Sequence, residues 1–142
     1  MYLYIKKETN KQTKRNMTTI KTFNGSQNDA TFYIQSKGNK AGQPLTQPIP
    51  NCFAVYTDVQ NAFEIVYALY TAKAFRNFII GSVIPFIRID AMKKIVLPAF
   101  DRAYNTKKLN AICAIDQNIA NLEKQLELMK QMKQAIAGEL IR

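Results

Sequence analysis

Apolar and polar positions along this chain alternate, then cluster, then recur at a fixed interval, and each change of period predicts a change of element. From Thr31 the run TFYIQ reads as a short strand, followed by SKGNKAGQPLTQPIPN, a loop rich in Gly, Pro, Asn and Lys. CFAVYT, Cys52 to Thr57, alternates as a second strand. Asp58 is placed to cap a helix over Val59 to Ala74. There Val59, Ala62, Phe63, Val66, Tyr67 and Tyr70 recur at three- and four-residue spacing, which predicts that they form the core-facing stripe. A second helical piece, Phe75 to Ile80, ends at Gly81 as its C-cap. Two apolar runs, Val83 to Ile87 and Ile95 to Leu97, flank a polar helical turn at Asp90 to Lys94 and predict two more strands. Pro98 closes the second, because proline offers no N–H to a ladder and disfavours helix in the residue before it.

From Thr106 the period becomes a heptad. With Ile112 as an a position, a and d are filled by Ile112, Ile115, Ile119, Leu122, Leu126, Met129, Lys133, Ile136 and Leu140, with Lys133 the one polar residue in the seam. A helix from Thr106 to Ile141 would be about 54 Å long at 1.5 Å per residue, longer than a small domain covers by itself. Its stripe therefore calls for a second helix, and Lys133 favours an antiparallel one. Two parallel chains would set Lys133 against itself, whereas an antiparallel pair sets it against Leu122 and near Glu123. The fold expected is α+β, a small partly antiparallel sheet with helices over residues 18–104, followed by one long helix over 105–142.

Composition narrows the function. The 142 residues, 47% hydrophobic and 21% charged, suit one globular domain with a helical extension. The chain has no histidine, which removes Ser-His and Cys-His hydrolysis and most catalytic zinc sites. Cys52 and Cys113 are too few and too far apart for a disulfide framework or a cysteine-rich metal site. No nucleophile and base can be paired, so no enzyme, metal or cofactor is expected. Charged residues interrupt the apolar stretches and no signal peptide is visible, so the expectation is a cytoplasmic protein with no membrane partner.

Twenty Lys and Arg against ten Asp and Glu leave a net charge of +10, which favours a polyanion. Half of that excess lies in Met1 to Thr22, where Lys6, Lys7, Lys11, Lys14, Arg15 and Lys21 face Glu8 alone. Residues 1–17 read as a basic, disordered tail, as a nucleic-acid arm, or as sequence upstream of a true start at Met17.

The second half of the chain carries a resemblance. FEIVYALYTAKAF is followed by FIIGSVIP, then KKIVLPAF, then IDQNIANLEKQLELMKQMKQAI, a succession that spans Asn51 to Arg142. In that order and spacing it resembles the end of a target-recognition domain and the following helix of type I restriction-modification DNA specificity subunits. The resemblance implies a DNA-reading domain joined to a helix that packs antiparallel on another and docks modification subunits, with methyl transfer and cleavage left to those partners. Two departures bear on the DNA reading. The room before Pro98 is short for a whole target-recognition domain, and FDRAYNTKK stands where the family opens its helix with an acidic Glu-Gln pair.

The expected function is thus a non-catalytic, specificity-subunit-like module that binds double-stranded DNA weakly and pairs with a second copy or a modification subunit. Lys37, Lys40, Lys73, Arg76 and Arg88 are the expected phosphate contacts, with Asn39 and Ser82 as hydrogen-bond donors. The alternative is a protein-interaction adaptor that uses its long helix without reading DNA.

Overall fold

A computed structural model describes residues 17–142. The expectations for the basic tail fall on residues 1–16, outside the described residues. The chain divides into two units, residues 1–104 and 105–142.

The first unit is α+β. Its four strands, β1 (Thr18–Thr22), β2 (Phe32–Gln35), β3 (Pro44–Leu45) and β4 (Cys52–Thr57), form one antiparallel sheet in the order β1-β4-β2-β3. The alternation in β4 serves two covered faces. Phe53 and Val55 share a face with their cross-strand partners Ile34, Phe32 and Ile20, all buried. Cys52 and Ala54 lie on the other face with Tyr33, covered by Phe23, Ala30, Leu45, Ile49 and Tyr56. This is why four successive residues of β4 are buried. The Tyr33 ring meets Phe23 edge to face at 5.9 Å, and its hydroxyl donates to the Gln27 carbonyl at 2.7 Å.

β1 lies in the segment that composition assigned to the basic tail. Its sequence TTIKT has one apolar residue, Ile20, and that residue is buried, while Lys21 sits 5.9 Å from the centre of the Tyr56 ring. β3 is likewise a short strand inside the stretch expected to be all loop, with Pro44 tolerated because it is on the sheet's edge.

Two helices complete this unit: α1 (Ala62–Thr71) and α2 (Ile89–Phe100), α1 beside β3 and α2 beside β1. The helix expected from Val59 starts at Ala62, and Asp58 does not cap it. Asn61 takes a left-handed conformation at φ 60°, which ends the helical path on its N-terminal side, and asparagine tolerates this better than most residues. The buried side chains of α1 are Ala62, Ile65 and Val66. Tyr67 and Tyr70 are half-buried, so the core stripe is rotated from the one expected.

The strand expected at Ile95–Leu97 is helix. Met92, Val96, Ala99 and Phe100 are buried at three- and four-residue spacing, and this stripe runs straight through the polar turn and the supposed strand. Pro98 lies inside the last turn, exposed. An interior proline ordinarily costs about 3 kcal/mol. Burying Met92, Val96 and Phe100 at about 1.5–3 kcal/mol each outweighs that cost.

The second unit is α3 (Thr106–Leu140), thirty-five residues without a break, about 52 Å long. Asn105 caps it, its side-chain oxygen accepting from the Lys108 N–H at 3.2 Å. Leu109 is its one buried residue and Ile112 is half-buried. From Ile115 to Leu140 every a and d side chain is exposed. No helix among the described residues is long and apolar enough to cross a membrane.

Candidate nucleic-acid interface

Helix α1 ends in a local device that places a lysine. The Ala74 N–H donates to the Leu69 carbonyl at 2.9 Å and the Lys73 N–H to the Tyr70 carbonyl at 3.1 Å, with Lys73 left-handed at φ 59°. This is a Schellman cap with lysine at the position glycine usually takes. Phe75 then turns inward and is 2% exposed. In place of the helical piece expected over Phe75 to Ile80 there is a single 3₁₀ turn at Arg76–Phe78, after which the backbone becomes extended at Ile79.

Gly81 is therefore not a helix cap. It opens a tight loop whose ends are closed by a pair of bonds, Ile80 N–H to Phe86 carbonyl and Phe86 N–H to Ile80 carbonyl, both 2.8 Å. Gly81 has φ 106°, and a Cβ there would stand 2.5 Å from the Ile84 carbonyl oxygen, so the turn demands glycine. The strand expected from Val83 to Ile87 is reduced to Phe86 by this geometry. Val83 is 90% exposed and Ile84 61%, at the tip.

Two further joints bring a third segment alongside. The Gly38 N–H donates to the Pro85 carbonyl at 2.8 Å and the Ile87 N–H to the Ser36 carbonyl at 2.9 Å, so the 36–42 loop borders the 80–87 loop. Gly42, at φ 96°, lies so close to Phe75 that a Cβ would stand 2.6 Å from the ring. The 36–42 loop is held by its own turn bonds, Ala41 N–H to Gly38 carbonyl and Gln43 N–H to Lys40 carbonyl, and by Gln35 Nε2 donating to the Lys37 carbonyl at 2.7 Å.

All seven expected DNA-binding residues sit on these three joined segments and all are exposed: Lys37, Asn39 and Lys40 on the first, Lys73 and Arg76 on the second, Ser82 and Arg88 on the third. Neither residues 36–44 nor residues 72–89 contain a carboxylate. Cations without acidic neighbours in sequence, carried on a backbone fixed by hydrogen bonds, provide charge for phosphate oxygens. Sequence reasoning missed the apolar tip, Val83 and Ile84 between Gly81-Ser82 and Pro85. The punctuation by glycine and proline was the signal that these two residues belong to a turn rather than a strand. Among the described residues no three of His, Cys, Asp and Glu gather as a metal site.

The model of a family of unknown function, DUF6943, matches residues 18–139, from the first strand almost to the end of α3. No curated protein and no solved structure matches the chain.

Proposed function

From the premise that the chain belongs to this family of unknown function, DUF6943, we propose that it is a non-catalytic module that binds double-stranded DNA through its phosphates. On this reading it works as a specificity-subunit-like component of a restriction-modification or related mobile-element system, as the resemblance of its second half implies. One observation carries the DNA reading. Lys37, Lys40, Lys73, Arg76 and Arg88 stand exposed on three segments joined by backbone bonds and close packing, in stretches of sequence without a carboxylate. Val83 and Ile84 at the neighbouring tip add apolar contact to sugar or base edges, which carries no charge.

Titration of a labelled duplex at increasing salt tests the reading. About four phosphate contacts give a log-log slope near −3.6, and Lys37→Ala, Lys40→Ala, Lys73→Ala or Arg76→Ala each makes it shallower by about one. Val83→Ser with Ile84→Ser weakens binding at an unchanged slope. The same titration with residues 1–16 removed separates this surface from the basic segment that precedes it. No binding by the shortened protein at about 50 mM salt sinks the DNA reading.

A second reading, an adaptor that docks a protein partner without reading DNA, rests on the uncovered apolar seam of α3. Partner capture from the native host with and without nuclease distinguishes the two, because a DNA-bridged partner is lost on digestion.

A further inference from the structure

The seam of α3 presents an apolar face with no cover from Ile115 to Leu140, including Leu122 at 62% exposure and Met129 at 66%. Near its C-terminal end Met129, Met132, Lys133, Ile136, Ala137 and Leu140 line an open groove. A stripe of this length is far more apolar surface than a single surface helix ordinarily leaves in water. The outward side is different in kind, with Gln131 Nε2 donating to Glu127 Oε1 at 3.3 Å and Lys124 and Gln117 alongside.

The pattern of charge beside the seam says what covers it. In an antiparallel pair of identical helices each a side chain meets a d side chain of the other chain, and e positions flank e positions. Setting Leu126 against Met129 fixes the remaining layers: Ile119 meets Ile136, Lys133 meets Leu122 and Ile115 meets Leu140. Lys133 never meets itself, and no polar pair interrupts the seam. The same register brings Glu123 of each chain against Lys130 of the other, so two opposite-charge pairs form about the two-fold axis. A parallel in-register pair has none of this. It stacks Lys133 on Lys133, and its flanking pairs are Gln125 with Lys130, Asn118 with Glu123, Ala111 with Asp116 and Met132 with Ala137. None of these joins opposite charges.

We propose that α3 pairs with α3 of a second copy as an antiparallel two-stranded coiled coil, with Leu126 opposite Met129 and Glu123 opposite Lys130. The pairing does not depend on the DNA reading. It makes the protein a two-fold symmetric dimer with one long shared seam, and it gives Lys133 a function: a lysine in an a layer penalises the parallel arrangement, where two would face each other, more than the antiparallel one, where each lies against leucine with Glu123 near.

Two experiments on the full chain test this. Sedimentation equilibrium at tens of micromolar is expected to find a dimer. Glu123→Lys alone or Lys130→Glu alone then weakens its dissociation constant by roughly tenfold at low salt, and the two together restore it. A parallel dimer would feel neither change strongly and would gain nothing from combining them. Circular dichroism establishes that each variant keeps its helix.

The second experiment is independent of charge. Nitroxide labels at Gln117→Cys and, separately, at Gln131→Cys are placed in a Cys113→Ser chain, in which Cys52 is buried from the reagent. In the antiparallel register the two labels at 117 lie about 32 Å apart along the axis and those at 131 about 10 Å, whereas parallel chains give both pairs the same short separation. Unequal distances with the larger at 117, together with charge rescue, bear the proposal out. A monomer, equal distances or absent rescue overturns it, and a monomer hands the seam to a different protein partner.

Discussion

Ile34, Val55, Val66, Met92 and Val96 are fully covered inside residues 18–104, while side chains of the same types, Ile115, Ile119, Leu122 and Leu126, stand in the open along α3. The two regions use one chemistry for opposite purposes. In the first, strands covered on two faces and helices with one apolar stripe bury their own surface, and the chain needs nothing else to gain that free energy. In the second, a single helix has no second layer, so its stripe gains nothing until another helix arrives. Apolar content alone does not tell a core from an interface; what matters is whether the chain itself returns to cover it.

The most forceful way to break this comparison is to cut the same amount of side chain from each region. Ile34→Ala removes a fully buried group beside Phe53 and is expected to cost about 2–5 kcal/mol, seen as a fall in melting temperature that does not change with protein concentration. Leu126→Ala leaves the dilute chain's core melting where it was, and its effect appears in association. If both substitutions lowered the dilute melting temperature equally, the contrast between core and seam would be wrong.

Next in size are the two glycines that join the loops. Gly42→Ala drives a Cβ into the Phe75 ring at a positive φ, an expected loss of roughly 1–3 kcal/mol by denaturant titration. Gly81→Val, against the Ile84 carbonyl, costs about 1 kcal/mol or more. Both act within the first unit, so association through α3 stays as it was. A change in dimer affinity in either variant would show that the two regions are energetically linked.

A gain is expected from Lys73→Gly. It relieves a left-handed non-glycine residue and should raise stability by roughly 1 kcal/mol, while removing one phosphate contact and flattening the salt dependence of DNA binding. Opposite signs for stability and binding mark a residue kept for its charge. A variant that bound DNA as before would return Lys73 to a structural role.

The smallest effect is a pH dependence. The Tyr56 hydroxyl donates to Asp29 Oδ1 at 2.9 Å, and loss of solvent around the phenol, followed by that hydrogen bond and the carboxylate's charge, pushes its pKa up from the ordinary value. With the folded pKa above the unfolded one, this stabilisation is complete below the unfolded value of about 10 and declines as pH rises through the folded one. Tyr56→Phe removes it, so the melting-temperature gap between wild type and variant should shrink above about pH 10. A gap independent of pH would dismiss the coupling.

The elements legible in the sequence are those whose period is long or whose apolar density is high. Cys52–Thr57 could be read as a strand because its residues suit a pleated surface covered on both sides, and α3 because a heptad over thirty residues has no other solution. Of the candidate DNA-binding residues, charge and loop placement found all seven, but nothing in their spacing said that three separate segments adjoin. That depends on the Gly38–Pro85 and Ile87–Ser36 bonds and on Phe75 lying over Gly42, each linking residues distant in sequence.

Short-range pattern was insufficient wherever a neighbour decided the outcome. TTIKT is too polar to announce a strand, and it becomes one because β4 offers it a ladder and Ile20 a covered place beside Val55. IVLP looks like the end of a strand until Met92 and Phe100 are seen to bury on the same side, when packing of the helix outweighs its proline. The sequence by itself determined the covalent and local quantities: an excess of positive charge, two glycines with positive φ in tight loops, and a seam of fixed period whose flanking charges select a direction. Only the tertiary structure decided which apolar residues are covered, where β1 and α2 lie, and which cations adjoin, because burial and adjacency are properties of pairs of segments and no single segment contains them.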